Sequence, residues 1–549
     1  NSQLASLTTS SVTSLLAAQV ANLGTGQVQA LTTSQVQSLT TDQVAALSST
    51  KLDSMELADV VVLTTAQLAA VSSEKFGTFS TDQVRALTTA QVASLSTDQV
   101  NALGSVKINA MEVADIGALT TAQVSSISTS LVSGLSTGVM VALTGSQLAS
   151  LGTAQVVKLG TDQLGAIEVA DVSSLTSTQI NVLDSTHLQS LNTSQLQALS
   201  ASVITGLTTG ATGTVNALST TQIAALSDNQ VGALSTGGIS TLTAGNLQAL
   251  RAGQFAVMTS TQVQSLTTSQ VPSLSTGSSG QIKALAATVY NNMTTAQVGA
   301  LSSTQVGYLD NAVVAGLTTD RVASLAVTGL STGQLSQLSA TQAGALTTSQ
   351  LVSLNTTQLS SLSTAQLAGL STSQLQSLTT TGANSQVNSL TNSQLASLTT
   401  ASVASLLTTQ VANLGTSQVQ ALTTAQVQSL GTDQVAALSS TQLDSMELAD
   451  VAVLTTAQLA AVTSVKFGTF TTDQLRALTG DQIASLSTDQ INALSSSKLN
   501  ALEVGDIAQM TTTQVAAITA AMVPNLSTGF VVALTGNQIA SLTTSQMGV

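Results

Sequence analysis

One unit of eight residues accounts for nearly the whole chain. It is seen in Leu39-Thr40-Thr41-Asp42-Gln43-Val44-Ala45-Ala46, followed at once by Leu47. Position one is Leu, positions two and three are Ser or Thr, and position five is usually Gln. Position six is Val, Leu or Ile, and position eight is Ala or Ser. An octad is too short to enclose a core of its own, so it can bury its apolar side only against other octads. This restricts the chain to a repeat architecture before composition is considered.

The spacing inside the octad selects its local structure. Positions six and one are three apart, as in Val44 and Leu47. Residues three apart share a face on a helix and point to opposite faces on a strand. Position two with position five forms the capping-box pattern, in which the Thr40 hydroxyl takes a backbone N–H near Gln43 and the Gln43 side chain reaches back. Acidic residues at position four (Asp42, Asp82, Asp98, Asp162, Asp433) fall in the first turn, where the helix dipole favours them. The octad therefore reads as a cap, about one helical turn and a reversal. The competing reading is a β-solenoid, because Thr and Val favour strands. The six-to-one spacing recurs in nearly every octad and outweighs propensity, so the expected fold is a mainly α solenoid of one-turn helices. Such helices are unstable alone, and packing of each Leu and Val pair, worth roughly 1.5–3 kcal/mol per side chain, must hold them.

Longer periods sit above the octad. Position one runs without a slip to Leu207. Four spacings then depart from eight: Leu207 to Leu218 is 11, Leu274 to Leu285 is 11, Leu325 to Leu330 is 5 and Leu378 to Leu390 is 12. Two of these contain glycine-bearing insertions, Gly210-Ala211-Thr212-Gly213 and Gly277-Ser278-Ser279-Gly280, which read as loops. The short step is expected to kink the stack. A Glu-x-x-Asp octad recurs at a spacing of 56 residues, seven octads, and the opening segment returns from Asn392 at a shift of 391. The expected organisation is regular octads over 1–206, octads with insertions and register shifts over 207–390, and a second copy of 1–158 over 391–549. The chain reads as a window on a longer array whose parent carries more copies.

Composition narrows function. Aromatic residues are 1%, charged residues 7%, and the formal net charge is −14. With no basic stripe and few rings for stacking, nucleic acid is an unsuitable partner. Cysteine is absent, which excludes disulfides and thiolate metal sites and fits export. No apolar run approaches the ~18 residues of a membrane span.

Candidate chemistry is sparse. Five pairs, Glu56/Asp59, Glu112/Asp115, Glu168/Asp171, Glu447/Asp450 and Glu503/Asp506, place two carboxylates one helical turn apart. They could offer oxygen ligands to Ca²⁺, with Ser/Thr oxygens or water completing the shell. The competing reading needs no cofactor: Lys51, Lys107 and Lys498 stand at position five one octad before an Asp, and a Lys-to-Asp contact between neighbouring turns would neutralise the pair. His187, the only histidine, occupies position five and reads as a replacement for Gln. Phe76 and Phe79 fall on positions six and one and read as core. Serines are abundant, yet none stands in a nucleophile elbow or a triad spacing. Asn192 and Asn355 match the glycosylation pattern, which is common by chance in Thr-rich sequence.

Octads such as 362–369 (Leu-Ser-Thr-Ala-Gln-Leu-Ala-Gly) and 422–429 (Leu-Thr-Thr-Ala-Gln-Val-Gln-Ser) resemble the Ser/Thr-Gln-Val repeats of very large bacterial secreted proteins. That resemblance, to surface adhesins and extracellular fibre proteins, implies a cell-surface or matrix location. Some such sequences carry haem-utilisation labels, and one His with no Cys gives haem no support here. The expected role is a structural, non-enzymatic repeat that self-associates, head to tail or laterally, into an extracellular filament. The alternatives are a Ca²⁺-stiffened adhesin stalk and an ice-binding Thr array.

Overall fold

The computed structural model describes residues 2–207, 215–381 and 385–549. Among these residues there are 63 short α-helices, most of four to six residues, and no β-strand. The α-solenoid expectation holds, and the β-solenoid is excluded.

The octad from Leu39 shows how the sequence does this. Thr40 is extended (φ −72°, ψ 160°) and caps the helix Thr41–Ala46. Gln43 N donates to Thr40 Oγ1 at 3.2 Å, and Thr40 N donates to Gln43 Oε1 at 2.8 Å, so two end groups of the helix are satisfied reciprocally. Leu47 returns to extended geometry (φ −63°, ψ 137°), its N–H donating to Val44 O at 3.1 Å, which ends the helix and reverses the chain. Val44 and Leu47 are both buried, with position five, Gln43, between the core and the cap. Where the cap is Gly24 or Leu407, the hydroxyl half of the box is lost and the half from Gln to the cap N–H remains.

In the regular stretches, successive turns of the solenoid are joined by hydrogen bonds that span 25 to 31 residues. The span centres on 28 residues, three and a half octads per turn. The 56-residue period in the sequence is therefore two turns, and octads that far apart return to the same side of the stack.

Contacts divide the chain into two units, Asn1–Ser275 with Ser279–Ala284, and Thr276–Ser278 with Leu285–Val549. Each is built the same way. In each, an aromatic pair replaces the usual aliphatic one. Phe76 and Phe79 have ring centroids 4.7 Å apart, and Phe467 and Phe470 4.8 Å apart, all four fully buried as core. The residue after the first ring must be small: a Cβ on Gly77 would lie 2.8 Å from Ala102 O, and one on Gly468 2.8 Å from Ala493 O.

The irregular spacings appear as changes in the inter-turn span. A regular Gln reaches carbonyls 31 and 28 residues back, as Gln91 does to Val60 and Leu63. After the insertion at 207–218, Gln222 reaches Leu188 and Leu191, 34 and 31 back. After 325–330, Gln334 reaches Val306 and Leu309, 28 and 25 back. Past the insertion at 378–390, Gln386 reaches Leu351 and Leu354, 35 and 32 back. Inserted residues are thus excluded from the rungs while the register of the stack is kept. At 274–285 the capping box itself stretches: Ser275 N donates to Gln281 Oε1 and Gln281 N to Ser275 Oγ, both at 3.0 Å, six residues apart instead of three. The loop expected at Gly277–Gly280 is this excursion, with Gly277 at φ +110°, a value that favours glycine. The insertion at Gly210–Gly213 lies outside the described residues. At the short step, a 3-10 turn, Val327–Gly329, replaces the helix. Pro272 and Pro524 lie in similar 3-10 turns, Val271–Ser273 and Val523–Asn525.

Candidate functional site

Position five is the one polar position carried into the interior of the stack. Its backbone belongs to its own cap, while its side chain is aimed at the preceding turn. Gln91 is 3% exposed; its Oε1 takes the Thr88 N–H at 2.8 Å and its Nε2 donates to Val60 O at 3.0 Å, Val61 O at 3.2 Å and Leu63 O at 2.7 Å. In the second unit Gln426 repeats this, with Nε2 on Leu395 O at 3.0 Å, Ala396 O at 3.3 Å and Leu398 O at 2.7 Å. The carboxamide is suited to the place because it has an acceptor and two donors on one rigid plane. It closes the local cap and ties that cap to the turn below.

The carbonyls of that slot require a positively polarised group, and other residue types supply one. Lys75 Nζ lies 2.6 Å from Ala45 O and Lys466 Nζ 2.6 Å from Ala436 O, each 30 residues back. Arg321 Nη2 donates to Asn291 O at 3.1 Å. His187 Nε2 lies 3.1 Å from Leu159 O, 28 back, so this histidine does stand in for Gln. Asp184, its cap, accepts from His187 N at 3.0 Å and faces Nδ1 at 2.7 Å; that backbone hydrogen bond, with the side-chain contact, lowers the Asp184 pKa.

The expected Lys-to-Asp neutralisation is overturned. Lys51, Lys107 and Lys498 donate to Ala21 O, Gly77 O and Gly468 O of the preceding turn. An ammonium on a flexible stem reaches the carbonyls 30 residues back, so it does the work of the amide instead of pairing with an Asp one octad on. The Arg-to-Asp ion pairs are local and exposed, Arg85 with Asp82 at 3.7 Å and Arg476 with Asp473 at 3.1 Å, and contribute ~0–1 kcal/mol.

The acidic octads put a carboxylate into the same slot. Asp59, Asp115, Asp171, Asp450 and Asp506 all stand at position five, and Glu56, Glu112, Glu168, Glu447 and Glu503 replace the Ser/Thr cap at position two. The Glu side chains make no cap hydrogen bond. Asp59, Asp115 and Asp450 are 3%, 4% and 2% exposed, Asp171 and Asp506 half-buried, and the Glu residues exposed. Burial, with the adjacent Glu charge adding to it, raises Asp59 and Asp450 to about 6 and pushes Asp115 and Asp506 upward. Among the described residues no group of three or more His, Cys, Asp or Glu converges on one point. Any cation held here must therefore draw on backbone or water oxygens as well.

The raised values fix a pH dependence. The folded state binds these protons more tightly than the unfolded chain. The stabilisation is therefore complete below the ordinary carboxylate pKa of 3.8 and is lost as pH rises through about 6. In the presence of a chelator, melting temperature is expected to fall between pH 5 and pH 7.5. A double variant, Asp59→Gln with Asp450→Gln, flattens that slope; an unchanged slope would remove these two groups as its source.

The repeat matches a known family model. The ALTTAQ repeat matches at seven places, residues 18–54, 52–89, 81–112, 108–145, 211–244, 411–447 and 467–496. These fall in both units and mark the chain as a repeat protein. No curated protein matches the chain. No helix among the described residues is long and apolar enough to cross a membrane.

Proposed function

We propose that this chain is a structural, non-enzymatic repeat that self-associates into an extracellular filament, at or outside the cell surface. The observation that carries the reading is the inter-turn rung. Within each unit a regular octad is tied to the octads three and four before it, as Gln67 on Val36 and Leu39 is followed by Gln99 on Leu68 and Val71. Stability in such a stack is a sum of unit and neighbour terms, so length is added without a new design problem. Repetition at 8, 56 and 391 residues supplies many equivalent positions and no unique constellation of the kind an active site needs. The formal charge of −14 opposes a nucleic-acid partner. Exposed Ser, Thr and Gln side chains offer lateral hydrogen bonds between copies.

Electron microscopy of the native assembly, at a resolution that traces one octad, tests this. The expected image is a continuous filament in which successive turns are about 28 residues of chain apart, as in each unit. Separate molecules ending in a globular tip would make the chain a stalk and move its function to the tip.

A further inference from the structure

The acidic octads carry a substitution pattern that the filament reading does not explain. The slot at position five is lined by backbone carbonyls of the preceding turn, and Gln, Lys, His and Arg fill it with N–H groups. In the register of the neighbouring rungs, the carbonyls opposite position five at Asp59 are those of Val28, Gln29 and Leu31. At Asp115 they are those of Val84, Arg85 and Leu87, and at Asp450 those of Val419, Gln420 and Leu422. An acceptor is thus set against acceptors. Asp450 is 2% exposed, and its Oδ2 is buried without a hydrogen-bond partner. A buried, unpartnered carboxylate oxygen is costly unless something positive joins it. Position two changes in concert: all five Asp octads carry Glu as cap, which brings a second negative charge to the mouth of the slot. Two like charges introduced together are unfavourable in isolation and become favourable around a cation.

We propose that Asp59, Asp115 and Asp450 form inter-turn Ca²⁺ sites, each completed by carbonyls of the preceding turn and by the Glu at position two. Asp is one methylene shorter than Gln, so its carboxylate stops short of where the Gln Nε2 meets the carbonyls, and an ion between the two would bridge them. Ca²⁺ fits this donor set: it takes six to eight oxygens at about 2.3–2.6 Å in irregular geometry, carbonyls included, whereas Mg²⁺ demands a near-ideal octahedron. One buried carboxylate, backbone oxygens and water make a weak site, of the order of 0.1–1 mM. The 56-residue spacing sets Asp59 and Asp115 two turns apart on one side of the first unit. The ion does there what the amide does elsewhere, clamping one turn to the next. This goes beyond the filament reading and stands or falls separately from it.

The test is calorimetric titration of the full chain with CaCl₂ at pH 7.5, with thermal melts in CaCl₂, MgCl₂ and chelator. The expected result is saturable Ca²⁺ uptake, a rise in melting temperature of several degrees, and little response to Mg²⁺. In the triple variant Asp59→Gln, Asp115→Gln, Asp450→Gln, uptake falls at least tenfold while the helical signal is kept, because Gln is the rung's own residue. Glu56→Gln, Glu112→Gln and Glu447→Gln together weaken uptake several-fold. Absence of saturable uptake in the unmodified chain overturns the proposal. Uptake that survives the triple Asp variant also overturns it, because the ion is then held by exposed carboxylates.

Discussion

Replacing Gln91 by Ala is expected to destabilise the surrounding turns by about 3–5 kcal/mol, far more than a surface substitution. The change removes an acceptor from Thr88 N–H and a donor from Leu63 O and Val60 O. Val60 O keeps one partner, the Leu63 N–H, but Leu63 O loses its donor in a buried place. Each orphaned buried group costs about 1–3 kcal/mol, and loss of the cap adds roughly 1 kcal/mol. Hydrogen exchange should report the loss first at Thr88, with denaturant melts following. Gln37→Ala is the control: Gln37 is exposed at position seven, and its replacement should shift stability by less than about 0.5 kcal/mol. Equal costs for the two would show that the rung contributes nothing beyond helix propensity.

Gln91→Glu separates the two roles of the side chain. The glutamate keeps the acceptor for Thr88 N–H and replaces the amide NH₂ with an oxygen facing Val60 O and Leu63 O. Its cost should be largest at pH 8, where the carboxylate opposes two carbonyls, and should shrink at pH 5, where a protonated carboxyl donates. A cost that does not change with pH would mean that the inter-turn donor is not what the position provides.

That distinction also explains what could be read from the sequence. The helix, its cap and its end were legible, because they depend on residues three and four apart in one octad. The four register changes were legible as counts, and each reappears in the rung spans. The second role of position five was not legible from the capping box, which accepts Glu as well as Gln. A signal was nonetheless present: none of the six glutamates in the chain stands at position five, although five of them stand at position two. A cap alone would not discriminate so strongly against an oxygen at the reach of the Gln amide; the five carboxylates that do stand at position five are all the shorter Asp. The number of octads per turn could not be obtained locally, because three and a half places no residue above its own kind. Only the 56-residue period, two whole turns, hinted at it. The role of Lys51 escapes a local reading for the same reason, since its acceptor, Ala21 O, lies 30 residues away.

The short step at Leu325–Leu330 yields the second large effect, from Gly329→Ala. The segment has lost the residues that would form a helix, so Val327–Gly329 turns tightly and lies directly on the helix Ser303–Gly307. A Cβ on Gly329 would fall 2.7 Å from both Cα and C of Ser303, and closer still to its carbonyl oxygen. These are backbone atoms at the start of a packed helix, so no side-chain rotation relieves the overlap and the two turns must separate. Separation would also disturb Gln358, whose Nε2 donates to Leu330 O at 2.8 Å and Thr328 O at 3.4 Å. Overpacking against backbone, with a strained rung above it, is expected to cost about 3 kcal/mol. Gly505 is the counterpart in the same unit: it lies in the helix Val504–Gln509 with nothing within 4 Å of an added Cβ. Gly505→Ala should instead stabilise by about 0.5–1 kcal/mol, through helix propensity and a less flexible unfolded chain. Denaturant melts of the two variants should therefore move in opposite directions. If Gly329→Ala is neutral, the close stacking of the shortened step on the turn below is not what holds the register there.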